Sequence, residues 1–323
     1  MAKTTRLAKT IVKLLFPAIV LIVLGLAGAS VWLLANVTRP PSARYLVTPE
    51  KYGMLSSRGS QVTEETWTNE DGTTSRGWLL RGADNAPGVI LFHRYGADRS
   101  HVLNLGVKLN ESTNFTVLMP DLRAHGEKPP IATGSFGGLE SEDAAAAVKF
   151  LKDLKNANQI SLVGSDIGVY GVELGAMAAL NAAAAEKSIR SAALDSVPRD
   201  SDELTAQTVG RRFPFASGVT SRLARLGTYL YFYDGTYKRQ TMCETAKKVD
   251  NRSVLLMSGY DVPEYQDATT ALAKCFPASS KVETKLDLSP SGFSVMNASL
   301  EQSEAYDQRI IDFFRRTLGQ QPL

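Results

Sequence analysis

Ile167-Gly168-Val169-Tyr170-Gly171-Val172-Glu173-Leu174-Gly175-Ala176 reads as a short apolar strand, a sharp turn and the start of an alanine-rich helix. A bounded apolar run of this length suits a buried strand, and alanine is the best helix former. Glycines two residues to either side of Glu173 permit a tight bend, and the helix that follows aims its N-terminal N–H groups back at the apex. The apex residue is Glu173, so a carboxyl group stands where the local backbone is most constrained.

Strands and helices alternate around this turn. Residues 61–69 and 76–80, joined by Asn69-Glu70-Asp71-Gly72, give a hairpin signal. Residues 88–92, 115–119, 189–194, 253–257 and 281–286 read as buried strands, and 98–111, 141–151, 265–276 and 301–318 as helices. Such alternation predicts an α/β fold with a mostly parallel sheet covered on both faces. Residues 199–250 break the rhythm with clustered aromatics (Tyr229, Tyr231, Phe232, Tyr233, Tyr237) and arginines (Arg211, Arg212, Arg222, Arg225). They read as a small helical insertion over the strand ends, packing its own core or gripping a ligand as a lid.

The net charge of +3 hides an asymmetry, because residues 1–44 hold six basic side chains (Lys3, Arg6, Lys9, Lys13, Arg39, Arg44) and no acidic one. Without those six, 30 basic residues face 33 acidic ones, which gives no electrostatic footprint for nucleic acid. From Leu14 to Thr38 run 25 uncharged residues, enough for a bilayer core that needs about 20 in a helix. Ala27-Gly28-Ala29 has the small-residue pattern of a signal-peptide cleavage site. The apolar run nevertheless continues through Val31-Trp32-Leu33-Leu34, past the about 7–15 residues of a signal core, so the expectation is an uncleaved anchor. Four basic residues before the span against Arg39 and Arg44 after it place the N-terminus in the cytoplasm and the body outside. The chain then divides into a basic segment (1–13), a span (14–38), a proline-bearing linker and connecting segment (39–60) and one large domain (61–323).

Cys243 and Cys275 fit an exported domain, as a disulfide or as two buried thiols. With no CxxC or Cys/His cluster, neither a metal nor a cofactor is expected. Asn110, Asn114, Asn251 and Asn297 each begin a glycosylation-type sequon, which matters only in a eukaryotic secretory route.

Three further motifs give the chain a resemblance to the α/β-hydrolase superfamily over about residues 76–318, in particular to membrane-anchored esterase- or peptidase-like members. Phe92-His93-Arg94-Tyr95-Gly96 resembles the loop that supplies an oxyanion-hole N–H. Asp121-Leu122-Arg123-Ala124-His125-Gly126-Glu127 resembles the segment after the fourth strand, and Phe136-Gly137-Gly138-Leu139-Glu140-Ser141-Glu142-Asp143 the run before the elbow helix. The resemblance implies an α/β-hydrolase sheet flanked by helices, with the small insertion and a single N-terminal transmembrane helix added.

It also implies a triad, and here the sequence departs. Glu173 occupies the nucleophile position, where G-x-S-x-G would place serine. Asp261, in Ser258-Gly259-Tyr260-Asp261-Val262-Pro263, matches the acid. The histidine loop is Leu288-Ser289-Pro290-Ser291-Gly292-Phe293-Ser294, with Phe293 near the expected place. The chain's three histidines, His93, His101 and His125, all precede the elbow, so no imidazole follows it to shuttle a proton. Arg94, Tyr95 and Leu174 fall in the former oxyanion-hole region, and a Glu173–Arg94 ion pair is expected to plug it. The expected role is that of an inactive pseudo-hydrolase binding a small ligand or a protein partner at the membrane. A serine-independent hydrolase using Glu173, or a structural membrane subunit, are the alternatives.

Overall fold

The structure is a computed structural model and describes residues 2–41, 44–50, 61–156 and 158–319; part of the expected linker, 51–60, lies outside the described residues. The chain forms two compact units: the body, 39–204 with 237–323, and a smaller unit made of 1–38 and 205–236.

The body is built on an eight-stranded sheet in the order β1-β2-β4-β3-β5-β6-β7-β8. The strands are β1 (Val62–Thr68), β2 (Thr74–Leu80), β3 (Ala86–Phe92), β4 (Thr116–Pro120), β5 (Val163–Val172), β6 (Ile189–Asp195), β7 (Ser253–Gly259) and β8 (Lys281–Leu288). β2 runs antiparallel to both of its neighbours, and every other adjacent pair is parallel. The expected hairpin is therefore the antiparallel edge of an otherwise parallel sheet. β3 and β4 are almost continuously buried, as strands covered on both faces must be.

Helices α2 (Leu103–Thr113) and α9 (Leu300–Leu318) cover one face, where Leu105, Leu109, Ile310 and Phe314 meet Val89, Leu91, Val117 and Tyr170. α3 (Leu139–Asp153) and α4 (Leu174–Ala185) cover the other, together with the short α7 (Met242–Ala246) and α8 (Pro263–Ala273). The helix expected over 98–111 instead opens as a 3-10 turn, Arg99–Val102. There the Asp98 side chain accepts from the Ser100 N–H and competes with a regular first turn.

The smaller unit contains α1 (Ala2–Val37), the part of α5 (Ser201–Arg212) beyond Leu204, the 3-10 turn Pro214–Ala216 and α6 (Ser217–Tyr231). Within α1 the 23 residues Leu15–Val37 have a mean hydropathy of 2.5, long and apolar enough to cross a bilayer.

Cys243 and Cys275 form a disulfide, with Cα atoms 5.3 Å apart, which closes a 32-residue separation in the body. Loop closure of that size removes about 3–4 kcal/mol of denatured-state freedom. Replacing both cysteines by serine should therefore lower the unfolding free energy of the full chain by about 3 kcal/mol, read from the urea midpoint of purified protein.

Candidate functional site

β5 delivers Glu173 to the carboxyl end of the sheet, and the turn into α4 is as sharp as the glycine spacing predicts. Glu173 has φ 53° and ψ −109°, a left-handed conformation that costs a residue with a Cβ about 1–3 kcal/mol. The neighbours make the bend possible. A Cβ at Gly171 would overlap the Gly175 carbonyl, and one at Gly175 would overlap the His93 carbonyl oxygen. The apex is held by backbone bonds from Glu173 N–H to Asp195 O (3.0 Å) and from Met177 N–H to Glu173 O (3.0 Å).

The Glu173 side chain is completely buried. Its Oε2 accepts from the Tyr95 N–H (3.2 Å), and its Oε1 from the Tyr265 hydroxyl (2.7 Å) on α8. A buried carboxyl group needs such donors, since losing its hydration uncompensated would cost several kcal/mol. Arg94, expected to pair with Glu173, directs Nη1 to the Tyr95 carbonyl (3.0 Å), and its guanidinium carbon lies 4.4 Å from the centre of the Phe293 ring. The loop is thereby buttressed by Phe293, the side chain expected near the histidine position. Tyr95 stacks on Phe136, with ring centres 5.8 Å apart, and Leu174 is buried at the start of α4.

Asp261 meets Ser291, two residues before Phe293. Its carboxyl oxygens accept from the Ser291 N–H (3.0 Å) and hydroxyl (2.8 Å). The neighbouring Asp195, at the end of β6, is also buried and accepts from the Tyr306 hydroxyl (2.6 Å), the Gly292 N–H (2.7 Å) and the Ser196 hydroxyl (2.7 Å). Burial pushes the Asp195 carboxyl above the usual carboxylate range, and these donors only partly offset it.

His93 and His125 are structural in geometry. His93 Nε2 accepts from the Leu122 N–H (3.0 Å) while Nδ1 faces the Arg94 carbonyl (2.8 Å). His125 Nε2 accepts from the Gly96 N–H (3.0 Å) while Nδ1 faces the Arg123 carbonyl (2.7 Å). Each ring thus donates from Nδ1 and accepts at Nε2, which fixes it as the neutral tautomer. Burial pushes both imidazoles below their ordinary pKa, with the second ring adding to the effect on His93.

Four residues that hold this site were not singled out from the sequence: Tyr265, Ser291, Asp195 and Tyr306. Asp195 carried a readable signal, an acidic residue directly after an apolar strand run, where parallel sheets place their sites. The other three are ordinary polar side chains whose partners lie far away in sequence. Among the described residues no group of three or more His, Cys, Asp or Glu could hold a metal. Clefts of about 330 and 350 Å³ occur elsewhere on the body, the first beside Ser141, Asn181, Lys238 and Gln240, the second beside His101, Tyr170 and Tyr306; Glu173 lines neither.

Two measurements test this geometry. Tyr265→Phe removes a donor from a buried carboxyl group and should destabilise the protein by about 2 kcal/mol. In a Glu173→Leu background the same change should cost at least about 1 kcal/mol less, a coupling readable in a double-mutant cycle. The second concerns His125, whose folded pKa lies below the unfolded value of about 6.5, so its contribution is fully present above that pH and is lost as pH falls. Relative to His125→Asn, the wild type should lose up to about 1.4 kcal/mol per pH unit below about pH 6.5 in urea titrations.

No family model matches the chain. A thiohydrolase from Eupenicillium brefeldianum is 28% identical over 121 residues, which are 37% of this chain and span only 38% of that protein. Among solved structures, a Pyrococcus furiosus esterase superposes with a TM-score of 0.62 at 21% identity, over 88% of this chain and 99% of the esterase. A dienelactone hydrolase from Anabaena variabilis superposes with a TM-score of 0.55 at 14% identity, over 80% of this chain and 99% of that one. Strand order, elbow and neighbours agree: the chain has the α/β-hydrolase fold.

Proposed function

We propose that this is a membrane-anchored pseudo-hydrolase, which has kept the hydrolase scaffold and works by binding a small ligand or a protein partner. The observation that carries the reading is the hydrogen bond from the Tyr95 N–H to Glu173 Oε2. In the hydrolase scheme, a donor in that loop stabilises the negative oxygen that forms on a substrate. Here the protein's own carboxyl oxygen takes the donor, and the Tyr265 hydroxyl secures the other oxygen. Substrate would have to displace a completely buried side chain from its hydrogen bonds with Tyr95 and Tyr265 before any chemistry began.

The rest of the relay supports the same reading. Glu173 has one more methylene than the aspartate that some carboxylate-nucleophile relatives use, and reaction geometry tolerates little displacement. Asp261 orients a serine hydroxyl in place of an imidazole, and the two histidines near the elbow are locked by backbone groups on both nitrogens. A serine hydroxyl cannot exchange protons near neutral pH as imidazole does.

In this proposal α1 is retained as an anchor. The basic residues Lys3, Arg6, Lys9 and Lys13 keep its start in the cytoplasm, and the body lies on the far side. Purified full-length protein should neither take up a fluorophosphonate probe nor turn over short-chain esters above the buffer rate. Glu173→Ser should not create turnover, since no imidazole is available to the new hydroxyl. Ester turnover by the wild type that Glu173→Gln abolishes would overturn the reading and assign Glu173 as a working catalytic group.

A further inference from the structure

We infer that the helical hairpin of the smaller unit, Thr205 to Thr236, is a second membrane-contacting element. It would lie in the headgroup layer of the leaflet where α1 emerges, with a phospholipid surface as its partner. The inference rests on the reading of α1 as a retained span.

Depth along α1 is the first observation. About 20 helical residues cross the hydrocarbon core, so a span that begins after Lys13 reaches the far interface near Trp32. Before that level α1 is apolar and exposed, with Leu15, Phe16, Ile19, Leu21, Ile22 and Leu24 each more than half accessible. From Ser30 onward one side is buried: Ser30, Leu34, Val37 and Thr38 are all closed off. α6 makes the contact. Gly227 lies so close to α1 that a Cβ there would come within 2.6 Å of the Ser30 carbonyl oxygen, a small-residue approach typical of helices packed in membranes. Phe213 packs on Trp32 with ring centres 5.6 Å apart, and the Tyr231 and Thr38 hydroxyls are hydrogen-bonded at 3.1 Å. Two polar side chains of α1 at this depth bond within the helix: the Ser30 hydroxyl donates to Leu26 O (2.8 Å) and the Asn36 amide to Trp32 O (2.9 Å). The hairpin is therefore bound to α1 at the level where hydrocarbon gives way to headgroups.

The second observation is the face that α6 turns away from α1. Ala224, Gly227 and Thr228 are buried, whereas Val219, Leu226 and Leu230 are exposed. At i, i+7 and i+11 these three fall within about 40° on a helix that turns 100° per residue, so they form one apolar line. Phe215 before the helix is fully exposed, and Tyr229 and Tyr233 are exposed at its end. Arg222 lies about 40° to one side of the apolar line and Arg225 further round on that same side, both exposed, and Arg211 and Arg212 are exposed at the end of α5. Residues 205–236 thus carry four arginines against one acidic residue, Asp234. An apolar line with arginines to one side and aromatic residues at its ends is the pattern of a helix lying in a bilayer interface. Water would leave this apolar surface uncovered next to a span that is itself surrounded by lipid.

The test places an environment-sensitive dye, one site at a time, on Phe215→Cys, Leu226→Cys and Leu24→Cys; the native cysteines are joined to each other, so the new thiol reacts alone. The full chain is reconstituted in vesicles of phosphatidylcholine and phosphatidylglycerol. Quenching is read with a nitroxide on the lipid headgroup, a nitroxide at the acyl-chain end, and aqueous iodide. The expected result is quenching of position 24 by the acyl-chain probe and of positions 215 and 226 by the headgroup probe. If 24 is quenched by lipid while 215 and 226 respond to iodide alone, the hairpin inference is overturned and the anchor stands. If 215 and 226 are shielded from both lipid and iodide, a protein surface covers them and the inference is again overturned. If 24 is not quenched by lipid, the anchor reading fails and takes this inference with it.

Discussion

The hydrogen bonds from the Tyr95 N–H and the Tyr265 hydroxyl to the Glu173 carboxyl group are the constraint around which the body closes. They join three segments that are distant in sequence: the loop after β3, the turn after β5 and the start of α8. The turn itself is strained, with a side-chain-bearing residue at φ 53°. Such strain persists only where the surroundings over-determine it. Here Gly171 and Gly175 clear the space, the β5–β6 pairing fixes the strand, and the buried carboxyl group gains donors that it would lose if the turn relaxed. A conformation that exposes a nucleophile in related folds is thus kept in this chain for a side chain that faces inward.

The loop that would carry the histidine follows the same logic. Asp261 holds Ser291 through backbone and hydroxyl, and Asp195 holds Gly292 and Tyr306. Gly292 is required there, since a Cβ would collide with the Tyr306 hydroxyl. Two carboxyl groups that could serve proton transfer are instead occupied with positioning a loop, and the loop presents Phe293 to the Arg94 guanidinium. Burial raises the pKa of the Asp195 carboxyl group, and the nearby Asp261 adds to that shift. Both acids serve here as acceptors that hold the loop in place.

Much of the fold was legible because its signals are local. The glycine spacing about Glu173, the apolar runs of β3 to β7 and the hairpin ahead of them depend on neighbours within a few residues, and each appears close to where it was expected. The 3-10 opening of the helix after Asp98 is an exception with a local cause, a side chain that captures a backbone N–H. The site was legible in part. Glu173, Asp261, Arg94 and Tyr95 could be named from motifs, whereas Tyr265, Ser291 and Tyr306 could not, because their roles are set by approaches across 92, 30 and 111 residues. The disulfide was likewise open, since pairing depends on a 5.3 Å Cα approach that no spacing encodes.

In the insertion, composition draws attention to residues and leaves their use undecided. Its aromatics and arginines stood out in the sequence, and a lid over a ligand was one natural reading. Helical phase separates their roles once α6 is in view. Gly227 and Tyr231 face α1, while Leu226, Leu230 and Arg222 do not. A glycine in the middle of a helix costs about 0.5–1 kcal/mol relative to alanine, so its presence needs a compensating contact. The close approach to Ser30 is that contact, and it links residues almost 200 positions apart in the chain. In each unit, then, close packing joins segments far apart in the chain: the Glu173 carboxyl group with Tyr95 and Tyr265 in the body, and Gly227 with Ser30 in the smaller unit.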